Sequence, residues 1–384
     1  MKLSTDRILT THCGSLPRPK NLLDLMKIKL CGGPHDPAAF HNCVKGAVSE
    51  SVGQQVSCGI DIPTDGEQGK PGFFAYVRER LNGFEPDPGF KFPRFEAETQ
   101  AFPEYYAEYM GQAMLGGAVA SIAPLVCTGP VTYRGQEAVH RDIEILEAAL
   151  DGWAHEEAFL PSVAPSGVGF NRYYRTEEEY AHAVAVAMNH EYRAITDAGL
   201  VVQLDDPFLT EIFSRPSLSP AERRNTAGMW IEALNYSLRG IPPEKVRFHT
   251  CYGINEGPRI YDAPLADIVE CMLQINAGAF SFEAANPRHE HEYHLWETVK
   301  LPEGKALIPG VITHASNIVE HPELVAERII RYARLVGREH VIAGADCGFS
   351  SQATYKPEIH PAIVWEKFRA MAEGARLASR RLWP

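Results

Sequence analysis

Leu200-Val201-Val202-Gln203-Leu204-Asp205-Asp206-Pro207, followed after a helix at about 220–239 by Val246-Arg247-Phe248-His249-Thr250-Cys251, decides how this chain is read. Each stretch is an apolar run too short for a helix, so each reads as a buried strand. Strand, helix, strand is the parallel crossover unit. The first run is tipped with carboxylates, and the second ends on a histidine and a cysteine two residues apart. Residues i and i+2 of an extended segment share a face, so that imidazole and that thiol point the same way.

The alternation continues in both directions. Strands are predicted at 8–13, 59–64, 122–127, 279–283, 306–312 and 340–346, with helices at 37–58, 137–159, 176–198, 263–276 and 321–336. Phe159-Leu160-Pro161-Ser162-Val163-Ala164-Pro165 could pass for another strand, but its two prolines demote it to a loop or edge. Eight strands then remain in β-then-α order, which predicts a single-domain (β/α)8 TIM barrel over residues 1–384. A doubly wound open sheet would carry G-x-G-x-x-G after its first strand, and that fingerprint is absent. From about 84 to 110 the order dissolves into proline, glycine and aromatics (Phe84, Phe90, Phe92, Phe95, Phe102, Tyr105, Tyr106, Tyr109), an insertion of the kind that serves as lid or subunit contact.

With 384 residues, 45% apolar and 22% charged, the chain is long enough for a large core and has ordinary globular composition. Its net charge of -12 and lack of a basic stripe argue against nucleic acid or an anionic membrane as partner. No apolar run reaches the length of a membrane span, and Met1-Lys2-Leu3-Ser4-Thr5-Asp6-Arg7 lacks a signal-peptide core, so a cytoplasmic protein is expected. Eight cysteines are too dilute for a disulfide scaffold and divide into buried thiols and candidate ligands. A homo-oligomer is expected on general grounds.

A barrel concentrates its chemistry at the C-terminal ends of its strands. There the sequence places Cys13, Ser15, Glu67, Thr128, Asp205, Asp206, His249, Cys251, Glu283, His314, Asp346 and Cys347. From these a four-ligand set of His249, Cys251, Glu283 and Cys347 can be drawn, and mixed nitrogen, sulfur and oxygen donors suit zinc. Two thiolates and a carboxylate make the site net negative. That weakens it for generating hydroxide and favours thiol alkylation, with zinc lowering the substrate thiol's pKa below its usual ~8.5. The run His289-x-His291-x-x-His294 fits no single face and reads as a solvated polar segment.

The motifs Gly14-Ser15-Leu16-Pro17, Asp65-Gly66-Glu67, Thr128-Gly129-Pro130-Val131-Thr132, Gln203-Leu204-Asp205, His249-x-Cys251-Tyr252, Phe282-Glu283 and Asp346-Cys347-Gly348 resemble, in order, the catalytic barrel of cobalamin-independent methionine synthase, and in layout its short single-barrel relatives. The resemblance implies a zinc-dependent S-methyltransferase that activates homocysteine or a similar small thiol, with zinc on His249, Cys251, Glu283 and Cys347. It implies that Glu67 and Asp205 receive the substrate's amino group, that Ser15 lies near its carboxylate, and that His314 is the catalytic histidine, a general acid or proton shuttle. The methyl donor would be a methyl-folate or methyl-corrinoid. Two departures matter. Arg18 stands where a neutral polar residue is usual and is suited to bind a carboxylate or sulfonate, and the Trp-Ser-Phe run that accompanies folate binding is missing after Thr132. They keep open the family's epoxyalkane:coenzyme M transferase branch. A thiol- or metal-binding barrel without turnover and a metal-free lyase are the alternatives outside the class.

Overall fold

The computed structural model describes residues 1–91, 95–112, 117–120, 122–253 and 256–384. Its regular strands are β1 (Leu81–Pro86), β2 (Leu125–Tyr133), β3 (Phe159–Val163), β4 (Phe170–Asn171), β5 (Val201–Asp205), β6 (Val246–His249), β7 (Ala279–Phe282), β8 (Ala306–Ile312) and β9 (Gly344–Ala345). β3, β5, β6, β7, β8 and β9 pair in that order as one parallel sheet. Two short extended segments close it into a ring. Thr10 bridges Ala343, Thr11 bridges Ile62, and the Phe159 N–H donates to the Pro63 carbonyl at 3.2 Å. The result is the expected TIM barrel.

Every residue of β3, β5, β6, β7 and β8 is buried, because helices cover the outer face and side chains fill the inner one. Leu9, Ile62, Phe159, Val201, Ala279, Ile308 and Ile342 pack together as the inner plug. Strand β6 contributes Arg247 instead, whose guanidinium lies 3.9 Å from the Phe159 ring centroid and donates to Thr11 Oγ1 and the His12 carbonyl.

The third barrel strand is not the one expected. Residues 122–127 and the supposed loop 128–132 lead into and form β2, which pairs antiparallel with β1 and briefly parallel with β4 in a separate three-stranded sheet. In its C-terminal half β2 is half exposed at Thr128, Pro130 and Thr132, unlike a barrel strand. The proline-containing run is the barrel strand, β3. The Phe159 N–H faces the second strand and the Val163 N–H meets Tyr76 Oη on the same side, so the nitrogen of Pro161 also faces that way. By then the neighbour has turned off into Asp65-Gly66-Glu67, and no donor is required there. Gly14 presses on the same ring, since a Cβ at Gly14 would lie 2.6 Å from Pro161 Cγ.

The aromatic insertion is more ordered than its composition suggests. It holds β1 and two helices, Glu96–Ala101 and Pro103–Gln112. Phe92 lies outside the described residues. Tyr109 Oη donates to Glu358 Oε1 and accepts from the Glu256 N–H, and Glu98 Oε1 accepts from the Tyr261 N–H, so the insertion packs on the loops that follow β6 and β9. Among the described residues no helix is long and apolar enough to cross a membrane.

Candidate functional site

β6 delivers His249 as its last residue, Cys251 follows two residues on, and Cys347 lies two residues past β9. Their ligand atoms all fall within 4.8 Å of one another, all three residues are buried, and the two sulfurs are 3.2 Å apart. The loop after β9 reaches this position by passing against Ser15, where a Cβ on Gly348 would meet Ser15 Oγ at 1.9 Å. His249 Nδ1 lies 3.1 Å from Ser281 Oγ and 3.6 Å from Cys13 Sγ, whereas its Nε2 is buried without a partner among the described residues. Burial, then Arg247 and His314, push the imidazole down to about 3, so it is neutral. The Cys347 thiol is held well above its ordinary range by its hydrogen bond to Cys251 and by burial. Two sulfurs this close in a dry site cannot both ionise unless a cation joins them. A neutral imidazole with one orphaned nitrogen and a thiol pair fits zinc.

Glu283 follows β7, and the structure groups it with His314 and Asp346 rather than with the sulfur pair. Its carboxylate accepts from the Tyr252 N–H at 2.9 Å and Asn286 Nδ2 at 2.8 Å, and Oε2 lies 2.8 Å from Arg259 Nη1. Asp346 accepts the Ala284 and Ala285 N–H groups, both at 2.7 Å, and Asn286 Nδ2 at 3.2 Å. His314 is buried, and neither ring nitrogen makes a regular hydrogen bond among the described residues. Burial pulls it down to about 4, against the pull of Asp346, so it rests neutral.

Glu67 and Asp205 enter the same cleft as His249, Cys251, Cys347, His314 and Ser15, a space of about 950 Å3 counted out to its open mouth and walled by Phe73, Pro207 and Phe349. Glu67 has a left-handed backbone at φ 53°, an unusual conformation for a side-chain-bearing residue, held by its N–H donating to Asp65 Oδ1. Its Oε2 has no hydrogen-bond partner among the described residues, and Lys70 Nζ stands off at 3.8 Å. Asp205 accepts from Gln203 Nε2 at 2.7 Å. Burial raises both carboxyls, Asp205 strongly and further by the charge of Glu67. Asp206 serves differently. It caps the helix Pro207–Ser214 through the Leu209 N–H and accepts from Ser166 Oγ.

Arg18 is not brought into this cleft. It lines a neighbouring groove, and its terminal nitrogens donate to the Ser350 and Glu67 carbonyls at 2.9 and 2.8 Å, tying the loop after the second strand to the loop after β9. Sequence reasoning passed over Ser281 and Arg259. Ser281 could have been found, since it sits two residues before Glu283 on one strand face. Arg259 could not, because only its place in the loop after β6 hinted at a role. His289 is buried, not solvated. It lies between Asp262 and Glu292, which overcome burial and raise it to about 9, while His294 pairs with Glu297 at the surface.

A family model described as the catalytic domain of cobalamin-independent synthase matches residues 165–363, just over half of the chain. The chain belongs to that family. The matched segment holds Asp205, His249, Cys251, Glu283, His314 and Cys347, and Ser15, Arg18 and Glu67 precede it. Among relatives of this synthase family, the methionine synthase of Thermococcus kodakarensis is 24% identical over 97% of this chain and 94% of its own length. That of Sulfolobus acidocaldarius is also 24% identical, over 88% and 85%. A B12-independent methionine synthase from Shewanella sp. W3-18-1, solved with selenomethionine, has the same fold with a TM-score of 0.73 at 19% identity, covering 98% of this chain and 99% of that one.

Proposed function

We propose that this synthase-family barrel is a zinc-dependent S-methyltransferase whose acceptor is a small thiol carrying an amino group, homocysteine being the best fit. The observation that carries the reading is one cleft lined both by two buried carboxyls, Glu67 and Asp205, and by the His249, Cys251, Cys347 trio, with Glu67 Oε2 lacking a hydrogen-bond partner among the described residues. The names of the methionine synthases it resembles support the same acceptor.

Zinc held by His249, Cys251 and Cys347, with Glu283 as the fourth ligand that the family resemblance implies, would supply the means of keeping a thiol ionised near neutral pH. The chain's own residues do the rest. An ammonium arriving between Glu67 and Asp205 supplies the charge that both lack, giving charge-assisted hydrogen bonds worth about 1.5–3 kcal/mol. Ser15, packed against the loop after β9, offers a hydroxyl to the substrate's carboxylate. Phe73, Pro207 and Phe349 exclude water, which strengthens each of these contacts. His314, neutral and without a regular hydrogen bond, is free to take up and pass on the thiol's proton or to protonate a departing donor. The donor enters over the same rim.

The coenzyme M alternative is less well supported. Arg18, the residue suited to a sulfonate, is engaged by two backbone carbonyls, and a sulfonate would face two carboxyls. The test is metal analysis of the purified protein followed by a thiol screen on the cobalt-substituted form. A sulfur-to-metal charge-transfer band that shifts with homocysteine and not with coenzyme M is expected, and Cys251→Ser abolishes it. A shift with coenzyme M alone would overturn the acceptor, and tight thiol binding with no methylated product from any donor would make this a binding protein.

A further inference from the structure

Glu283 is saturated by its own protein, and Arg259 is the residue that makes it so. The Glu283 side chain is fully buried, and the Arg259 side chain is nearly so. Arg259 is a bulky residue in the left-handed region, φ 57°, a conformation that persists only where its surroundings impose it. Here they do. Asp262 Oδ2 takes Arg259 Nε at 2.7 Å, Arg288 Nε donates to the Arg259 carbonyl at 2.9 Å, and the Tyr252 ring lies under the guanidinium at 5.3 Å. Asp262 is in turn fixed by His289, which stacks on Tyr252 at 4.0 Å. A strained backbone held from three sides delivers one cation to one oxygen of Glu283.

We propose that Arg259 is a positioning residue that keeps Glu283 a weak, exchangeable donor, so that the centre built on His249, Cys251 and Cys347 retains a place for the substrate's sulfur. The proposal rests on the metal-site reading above and deepens it. An arginine-paired carboxylate has little charge left to offer a dication. Removing Arg259 therefore tightens the metal and disfavours the thiol.

The test is equilibrium zinc titration against a competing chelator, with cobalt spectra and thiol titrations, on wild type, Arg259→Gln, Arg259→Lys, Glu283→Gln and the double variant. Arg259→Gln is expected to bind zinc at least about 10-fold more tightly and to raise the thiol's KM by a similar factor, with a smaller change in kcat. Arg259→Lys, which keeps the charge, restores wild-type values in part. In the Glu283→Gln background the Arg259→Gln change has no further effect. Equal zinc and thiol affinities in wild type and Arg259→Gln would overturn the proposal, as would an equal effect with and without Glu283. If Arg259→Gln does not fold, Arg259→Met, which also removes the charge but keeps the length of the stem, carries the comparison, and wild-type zinc and thiol affinities in that variant would overturn the proposal. Absence of metal binding in wild type would instead sink the metal-site reading itself.

Discussion

Two pairs of buried acidic residues lie beside the His249, Cys251 and Cys347 trio, Glu67 and Asp205 lining the cleft and Glu283 and Asp346 not, and they are treated in opposite ways. Asp346 and Glu283 are saturated, receiving between them three backbone N–H groups, the Asn286 amide and Arg259. Glu67 and Asp205 are left short. One oxygen of Glu67 has no hydrogen-bond partner among the described residues, and Asp205 receives an amide from Gln203. Burying a carboxylate without compensation is costly, so an under-satisfied pair facing a cleft implies that the missing charge comes from a ligand. The saturated pair belongs to the architecture, and the hungry pair belongs to the substrate.

The contrast is sharpest in stability. Asp346→Ala strips the charged acceptor from the Ala284 and Ala285 N–H groups inside the protein, and a loss of at least about 3 kcal/mol is expected from two such bonds. Chemical denaturation measures it, and an unchanged midpoint would break the comparison. On the other side, Asp205→Asn is expected to raise the KM for homocysteine by about 10- to 100-fold, the value of one charge-assisted bond, while leaving stability equal or higher. Steady-state kinetics paired with the melting temperature checks both halves, and a fall in Tm matching that of Asp346→Ala would erase the distinction.

The smallest effect concerns pH. Burial holds the carboxyls of Glu67 and Asp205 above their ordinary values, so the folded chain keeps protons that the unfolded chain has released. Their contribution to stability is therefore fully present below the ordinary carboxylate range and is lost as pH rises through the raised values. The ligand-free protein should lose Tm over that window, Asp205→Asn should flatten the slope, and homocysteine should oppose it by supplying the ammonium. A steeper slope in the variant would contradict this assignment.

Much of the site was legible because its residues follow local rules. His249 and Cys251 share a strand face, and Glu283, His314 and Cys347 follow barrel strands, where a barrel keeps its reactive groups. The barrel itself was legible from alternation, but one strand of it was misplaced. Pro161 looked disqualifying because a single sequence does not show which neighbour a missing N–H would have faced. Residues 122–127 looked suitable because an apolar run does not reveal that its continuation, at Thr128, Pro130 and Thr132, is half exposed.

Arg18 and Arg259 divide the same way. By sequence Arg18 was the cation suited to an anionic substrate and Arg259 was passed over. In the fold Arg18 ties two backbone carbonyls and Arg259 holds Glu283. The sequence alone determined the β-then-α alternation and the reactive residues at the strand ends, which depend on periodicity and spacing along the chain, and its ordered motifs carried the resemblance to the family. Only the tertiary structure decided which carboxylates are satisfied and where each arginine spends its charge. Those answers depend on groups brought together from loops as distant as Arg18 and Ser350, and a buried charge is settled by its neighbours in space, not by its neighbours in sequence.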